Sequence, residues 1–193
     1  SQWSPIPPLS VASLLASDAK RLIRSESNAL DGVVAAITRF ESSLRHESPS
    51  PLEDLWNTPK GSPPTPKDEE HISGKLCEAV RRYFSDRVVS ADREVQVFRR
   101  SVPKKSGGAP GSEVDVLLRV PELATEKGDM ISIPIEVKRS GNNEAKTGLN
   151  AQLIDRYMSQ LGTDTGVYVV VWLDAPELPR SHSPVWPSKE AAK

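Results

Sequence analysis

Two stretches decide how this chain reads: Glu113-Val114-Asp115-Val116-Leu117-Leu118-Arg119-Val120 and Ile131-Ser132-Ile133-Pro134-Ile135-Glu136-Val137-Lys138. Both show the period of two that sends successive side chains to opposite faces of a strand. Val114, Val116, Leu118 and Val120 share one face of the first, leaving Glu113 and Asp115 on the other. Ile131, Ile133, Ile135 and Val137 take the core face of the second and leave Glu136 and Lys138 opposite. If the strands pair as neighbours, an Asp, a Glu and a Lys converge. Two carboxylates a few ångströms apart repel unless positive charge lies between them, and a hard divalent cation with oxygen ligands is the ordinary solution. Mg²⁺ or Mn²⁺ is the implied guest. Lys138 beside it is a compact cation able to orient water and to stabilise charge that builds on a phosphoryl group.

The neighbouring segments fit around these strands. Arg93 to Phe98 alternates in the same way, and a basic, glycine-rich turn, Lys104-Lys105-Ser106-Gly107-Gly108, separates it from Glu113. Upstream, Ile72, Leu76, Ala79, Val80 and Tyr83 form the apolar stripe of a helix expected from about Lys67 to Phe84. Asp68-Glu69-Glu70 suits the positive end of its dipole. At roughly 100° per residue Glu69 falls about 60° from Ile72, inside the stripe, so it faces inward. A second helix is expected from about Glu144 to Leu161, leading through Gly162 and Gly166 into a buried strand, Val167 to Trp172. Helix, three strands, helix, strand predicts an α/β fold, a mixed central sheet flanked by helices.

Between Ser10 and His46 apolar residues recur at helical spacing, with Asp31-Gly32 as the expected break, so residues 1–47 read as an amphipathic helical segment. Residues 48–66 carry six prolines among serines and threonines and read as a linker, anchored by Leu55 and Trp56. Residues 67–193 form the remaining domain. The 25 Lys+Arg against 26 Asp+Glu exclude a dedicated DNA-coating protein while leaving nucleic acid open as a partner. One cysteine rules out an intrachain disulfide, which fits a reduced, cytoplasmic setting. With His46, His71 and His182 scattered, no zinc spacing can be drawn. The apolar run Val167–Leu173 is far too short to span a membrane. A first residue that is Ser and a last stretch without an element ending suggest a piece of a longer protein.

At Asp115 and Glu136-Val137-Lys138 the chain resembles the PD-(D/E)xK, or restriction-endonuclease-like, nuclease superfamily. More narrowly, Arg93-Glu94-Val95-Gln96-Val97, Val114-Asp115-Val116-Leu117, Ile135-Glu136-Val137-Lys138 and Gln152-Leu153-Ile154-Asp155-Arg156-Tyr157 look like a branch carried by large ATP-binding bacterial anti-phage defence proteins. The resemblance covers about Lys67 to Leu173. It implies a restriction-endonuclease-like sheet and a Mg²⁺- or Mn²⁺-dependent endonuclease acting on DNA, with RNA as the other nucleic acid it admits. It further implies other domains of a longer chain and a homo-oligomer as partners. The resemblance makes Asp115 and Glu136 metal ligands, the Val137 carbonyl a further ligand, and Lys138 the catalytic lysine. Glu69 matches the acidic residue of the first helix, a further metal ligand. Gln152 and Arg156, one helical turn apart, match the polar pair that braces the site or contacts phosphate.

Each residue also has a bland reading. Charged residues on a strand's polar face usually form solvated ion pairs, and an acid in a first helical turn is as often a capping or dipole partner as a ligand. Gln152 and Arg156 also suit an exposed helix face, and Cys77 reads as packing. Arg81-Arg82, Arg99-Arg100 and Lys104-Lys105 are solvated surface or, in a nuclease, phosphate contacts. The rival to catalysis is an inactive nuclease-fold module that binds nucleic acid or a partner protein. A third reading makes the chain an adaptor recognised through its proline-rich segment.

Overall fold

The alternating stretches fold as strands and the periodic ones as helices. The computed structural model describes residues 23, 25–87, 89–96, 113–121, 130–173, 178, 183–186 and 188. In chain order it shows α1 (Glu26–His46), a 3-10 turn (Pro51–Leu55), α2 (Glu69–Tyr83), β1 (Ser90–Gln96), β2 (Glu113–Pro121) and β3 (Met130–Arg139). A second 3-10 turn (Asn143–Lys146), a π-wound helix (Leu149–Met158) closed by an α-helical turn (Ser159–Leu161), and β4 (Val167–Val171) follow. The basic turn Lys104–Gly108, Arg99-Arg100 and the segment before residue 23 lie outside the described residues.

β1, β2 and β3 form an antiparallel meander, and β4 joins β3 in parallel, giving a mixed four-stranded sheet in the order β1-β2-β3-β4. A parallel neighbour needs a crossover, and the helical segment 143–161 supplies it. The sheet is covered on both faces. On one, Ala29, Val33 and Ala36 of α1 and Ile72, Leu76, Cys77 and Val80 of α2 pack against Val116, Leu118, Ile133, Ile135 and Val137. On the other, Leu153 and Tyr157 of the π-wound helix pack against Leu117 and Val114. The chain is therefore a mixed α/β protein. β3 is buried at every position from Ile133 to Lys138, so its charged pair sits inside rather than on a solvated face. Among the described residues no helix is long and apolar enough to cross a membrane.

Four expectations need correction. First, α1 runs unbroken through Asp31-Gly32. Gly32 is buried and serves close packing: a Cβ there would meet the Phe84 ring at 2.6 Å. Second, the stretch read as a linker also pairs Trp56–Asn57 antiparallel with Thr65–Pro66, while the anchoring expected at Leu55 is present, that residue being fully buried. A salt bridge from Lys75 to Asp54 at 2.9 Å ties the stretch to α2. Third, Val114 leaves the face of Val116 and packs with Leu117, Leu153 and Tyr157. Fourth, the second helix is wound as a π-helix over most of its length. Other expectations agree with the structure: α2 spans nearly the expected range, with Asp68 just before it as a cap whose Oδ1 accepts from His71 N–H at 2.8 Å, and Cys77 is a buried packing residue.

Gly32→Ala is expected to lower stability by about 1–2 kcal/mol. Overpacking costs about 1–3 kcal/mol, and the roughly 1 kcal/mol that alanine returns in helix propensity offsets only part of it. Chemical denaturation reads the difference; a variant as stable as the parent would show that Phe84 moves aside at no cost.

Candidate functional site

The site lies where β2 parts from β3. Their paired register ends at Val116 opposite Ile135, and continuing it by one residue sets Asp115 opposite Glu136. There the Asp115 side chain meets a main-chain donor: its Oδ2 accepts from Val137 N–H at 2.7 Å. On the other side of Asp115, Glu94 stands between the pairs Arg93–Val116 and Val95–Val114 with φ at 50°. A non-glycine residue in the left-handed region is strained, and such strain collects at functional sites. Asp115 thus lies between an unusual backbone at Glu94 on one side and the end of the β2–β3 pairing on the other.

Glu136 and Lys138 are 1 % and 7 % exposed, which decides that they are not a solvated surface pair. Lys138 Nζ lies 2.7 Å from Glu136 Oε1 and 3.6 Å from Glu69 Oε2. The other Glu136 oxygen, Oε2, is buried and has no hydrogen-bond partner. Buried polar atoms are nearly always paired, so an orphaned carboxylate oxygen marks a place for a proton or a cation.

Electrostatics point the same way. Burial raises the Asp115 carboxyl above its ordinary range, although the Val137 N–H and the Lys138 charge pull against it. Burial and then the charge of Asp115 push Glu136 up to about 7. Burial alone would lower the Lys138 ammonium, but the hydrogen bond and charge of Glu136, with Glu69 and Asp115 behind it, outweigh that and hold it raised. Near neutral pH the acid pair therefore retains a proton that ordinary carboxyls would have lost. A divalent cation would have to expel it. Apparent Mg²⁺ affinity is expected to rise with pH up to about 7, by as much as roughly tenfold per pH unit, and then to level off. Calorimetry in two buffers of different ionisation heat would detect the released proton; an affinity that is flat across this range would refute the shared proton.

Each residue singled out in the sequence can now be placed. Asp115, Glu136 and Lys138 come together as expected. Glu69 reaches the end of β3, but not as an open ligand: its Oε1 accepts from Arg139 N–H at 2.9 Å and from Asn142 Nδ2 at 2.7 Å, and its Oε2 faces Lys138. Val137 presents its N–H to Asp115. Gln152 donates to Glu144 Oε2 at 3.2 Å, and its own Oε1 is buried without a partner. The Arg156 guanidinium stands 6.0 Å from the Tyr157 ring centroid. Glu113 turns aside, accepting from Gln96 Nε2 at 3.1 Å.

Three residues were missed by sequence reasoning. Tyr157, 4 % exposed, donates to Glu113 O at 2.7 Å and so ties the π-wound helix to β2 two residues before Asp115. Burial and then the charges of Glu136 and Asp115 push its hydroxyl up to about 12. Tyr168, paired beside Glu136, donates to Ala145 O at 2.8 Å. Asn142 holds Glu69. The two tyrosines had a signal, since an aromatic on an apolar stripe or strand that ends in a hydroxyl needs a partner; Asn142 in a turn had none.

The donor set allows a choice among metals. Among the described residues no group of three or more His, Cys, Asp or Glu side chains is gathered that could hold a metal ion. Magnesium is commonly held by one or two carboxylates with water completing the shell. Asp115 and Glu136, with Oε2 awaiting a partner, fit that smaller requirement. In comparison with known proteins, a family described as a domain of unknown function, DUF8371, matches residues 122–175. That stretch carries Glu136, Lys138, Gln152 and Arg156 but neither Asp115 nor Glu69. No curated protein and no solved structure matches the chain.

Proposed function

We propose that this chain is a metal-dependent nuclease domain of restriction-endonuclease-like fold that hydrolyses DNA phosphodiester bonds. The observation that carries the reading is the buried Glu136 carboxylate, one oxygen held by Lys138 and the other reached by no N–H or O–H donor among the described residues, whose ionisation is opposed by the charge of Asp115 on the adjoining strand. Asp115 and Glu136 would hold Mg²⁺ or Mn²⁺, which supplies Lewis acidity toward a phosphoryl oxygen when bound. Glu136, raised to about 7 without a cation, would have to be deprotonated to serve as such a ligand. Lys138, kept charged by its two carboxylates, presents an ammonium to the negative charge that develops on the phosphate. Glu69 holds that ammonium from the α2 side, and Tyr157 fixes the β2 end that carries Asp115. Its place as the effector part of a longer ATP-binding defence protein follows from the resemblance of the motifs.

The direct test is purified protein with plasmid and linear DNA, and RNA of the same sequence, in Mg²⁺ or Mn²⁺. Cleavage is expected for DNA and is expected to disappear in Asp115→Ala and Lys138→Ala. Cutting that survives both substitutions would overturn the site. Among the described residues no three ligand side chains are gathered, the observation that favours one rival, an inactive nuclease-fold module that binds nucleic acid or a protein. Calorimetry that finds no divalent binding dependent on Asp115 and Glu136 would decide for it.

A further inference from the structure

We propose that Asn142 is a positioning residue whose side-chain amide clamps Glu69 so that the second oxygen of that carboxylate faces Lys138 and fixes the direction of its ammonium. Asn142 Nδ2 donates to Glu69 Oε1 at 2.7 Å, and Arg139 N–H donates to the same oxygen at 2.9 Å. Glu69 Oε2 is left 3.6 Å from Lys138 Nζ. At the other end of the amide, Asn142 Oδ1 accepts from Glu144 N–H at 2.8 Å and caps the 3-10 turn Asn143–Lys146. The chemistry fixes which end is which. Reversing the amide would set an oxygen against a carboxylate and an NH₂ against an N–H.

The consequence for Lys138 follows from its shape. A lysine is a point charge on a flexible four-carbon stem with three donors. Glu136, on the same strand, engages one of them at 2.7 Å and leaves the ammonium able to swing about that contact. A second anion on a different element removes the swing. Glu69 is on α2, its carboxylate is itself immobilised by two donors from residues 139–142, and one turn of chain thereby joins the start of α2, the end of β3 and the start of the following helical segment. The catalytic consequence rests on the nuclease reading; the clamp does not.

The test is a set of four proteins: parent, Asn142→Asp, Glu69→Gln and the double variant. Asn142→Asp keeps an acceptor for Glu144 N–H, since Asp caps as well as Asn, but sets a carboxylate against Glu69. Its melting temperature is expected to fall by several degrees and its kcat by about tenfold, the size usual for groups that orient a site, with KM and divalent affinity unchanged. In the double variant the amide at position 69 can donate to the carboxylate at position 142, but the same NH₂ then faces Arg139 N–H, which donates to that position in the parent, so melting temperature is expected to recover only in part. Its kcat does not recover, because the negative charge no longer faces Lys138. The ¹⁵N–¹H resonance of the Lys138 ammonium, protected in the parent, is expected to vanish in Asn142→Asp and in the double variant. Three results would overturn the proposal: kcat returning together with stability in the double variant, a Lys138 resonance unchanged by Asn142→Asp, or a tenfold loss of divalent affinity in Glu69→Gln, which would make Glu69 a ligand. If the parent cuts no DNA, the nuclease reading has failed, and the melting cycle and the resonance still decide the clamp.

Discussion

Asp115→Asn is expected to abolish divalent-dependent cleavage and, in the same protein without metal, to raise stability. The substitution is nearly isosteric, and its amide oxygen can still accept from Val137 N–H, the bond Asp115 makes at 2.7 Å. What disappears is one of two acids that share a buried space. Cleavage should fall by about a thousandfold or more, taking roughly 4 kcal/mol of transition-state stabilisation for a metal that loses one of its two carboxylates. Stability should rise by on the order of 1 kcal/mol, because the Asp115 charge is the second cause, after burial, that pushes Glu136 up to about 7. The sign has a pH signature. A carboxyl raised in the folded state contributes stability that is complete below its ordinary range and lost as pH rises through about 7. The gain from Asp115→Asn should therefore be largest above neutrality and fade toward about pH 5. Denaturation at both ends of that range, with cleavage assays alongside, decides the matter. A variant less stable than the parent above neutrality, or one that cuts within tenfold of it, would mean that the two acids do not share a site.

The acid pair and its lysine were visible in the sequence for a geometric reason. Period-two alternation placed Glu136 and Lys138 opposite Ile135 and Val137 because a strand buried on both faces cannot change that geometry without a bulge. Asp115 was legible for the same reason, as was the inward-facing Glu69, whose position depends only on helical rise and twist. Less local features were hidden. The left-handed Glu94 and the departure of Val114 from the face of Val116 are two of them, and no residue type announces either. Gly32 was read as a breaker because glycine weakens an isolated helix, yet here it makes room for the Phe84 ring, a partner fifty-two positions away in the chain. In the proline-rich stretch the anchors Leu55 and Trp56 could be read, and Leu55 is fully buried, but the pairing of Trp56–Asn57 with Thr65–Pro66 carried no signal. Asn142 is equally silent, since a turn residue that caps a helical turn and one that also clamps a carboxylate from another element have the same letters. Long-range packing, rather than weak propensity, is what the sequence could not show.

Lys138→Met separates the two jobs that a buried cation performs. The substitution keeps most of the apolar stem and removes the ammonium that lies 2.7 Å from Glu136 Oε1 and 3.6 Å from Glu69 Oε2. Glu136 would then have neither oxygen paired, since Oε2 is already without a partner. Breaking a buried pair by removing one member costs about 3–5 kcal/mol when the remaining charge stays. It need not stay. Without the ammonium the Glu136 carboxyl, already pushed up to about 7, rises further and is protonated at about pH 5, so the penalty there should shrink to the loss of a hydrogen bond, about 1 kcal/mol. Above neutrality the full cost should appear. If Asp115 and Glu136 form a cation seat, Mg²⁺ should then restore much of the lost stability, because it replaces the missing positive charge beside the same acids. On the nuclease reading it should not restore cleavage, because the cation proposed to face the phosphate from position 138 is gone. Thermal melts at both pH values with and without Mg²⁺, together with the cleavage assay, give the answer. A destabilisation equal at both pH values would show that Glu136 does not take up a proton in response, and melts unmoved by Mg²⁺ would remove the two-carboxylate seat on which the nuclease reading depends.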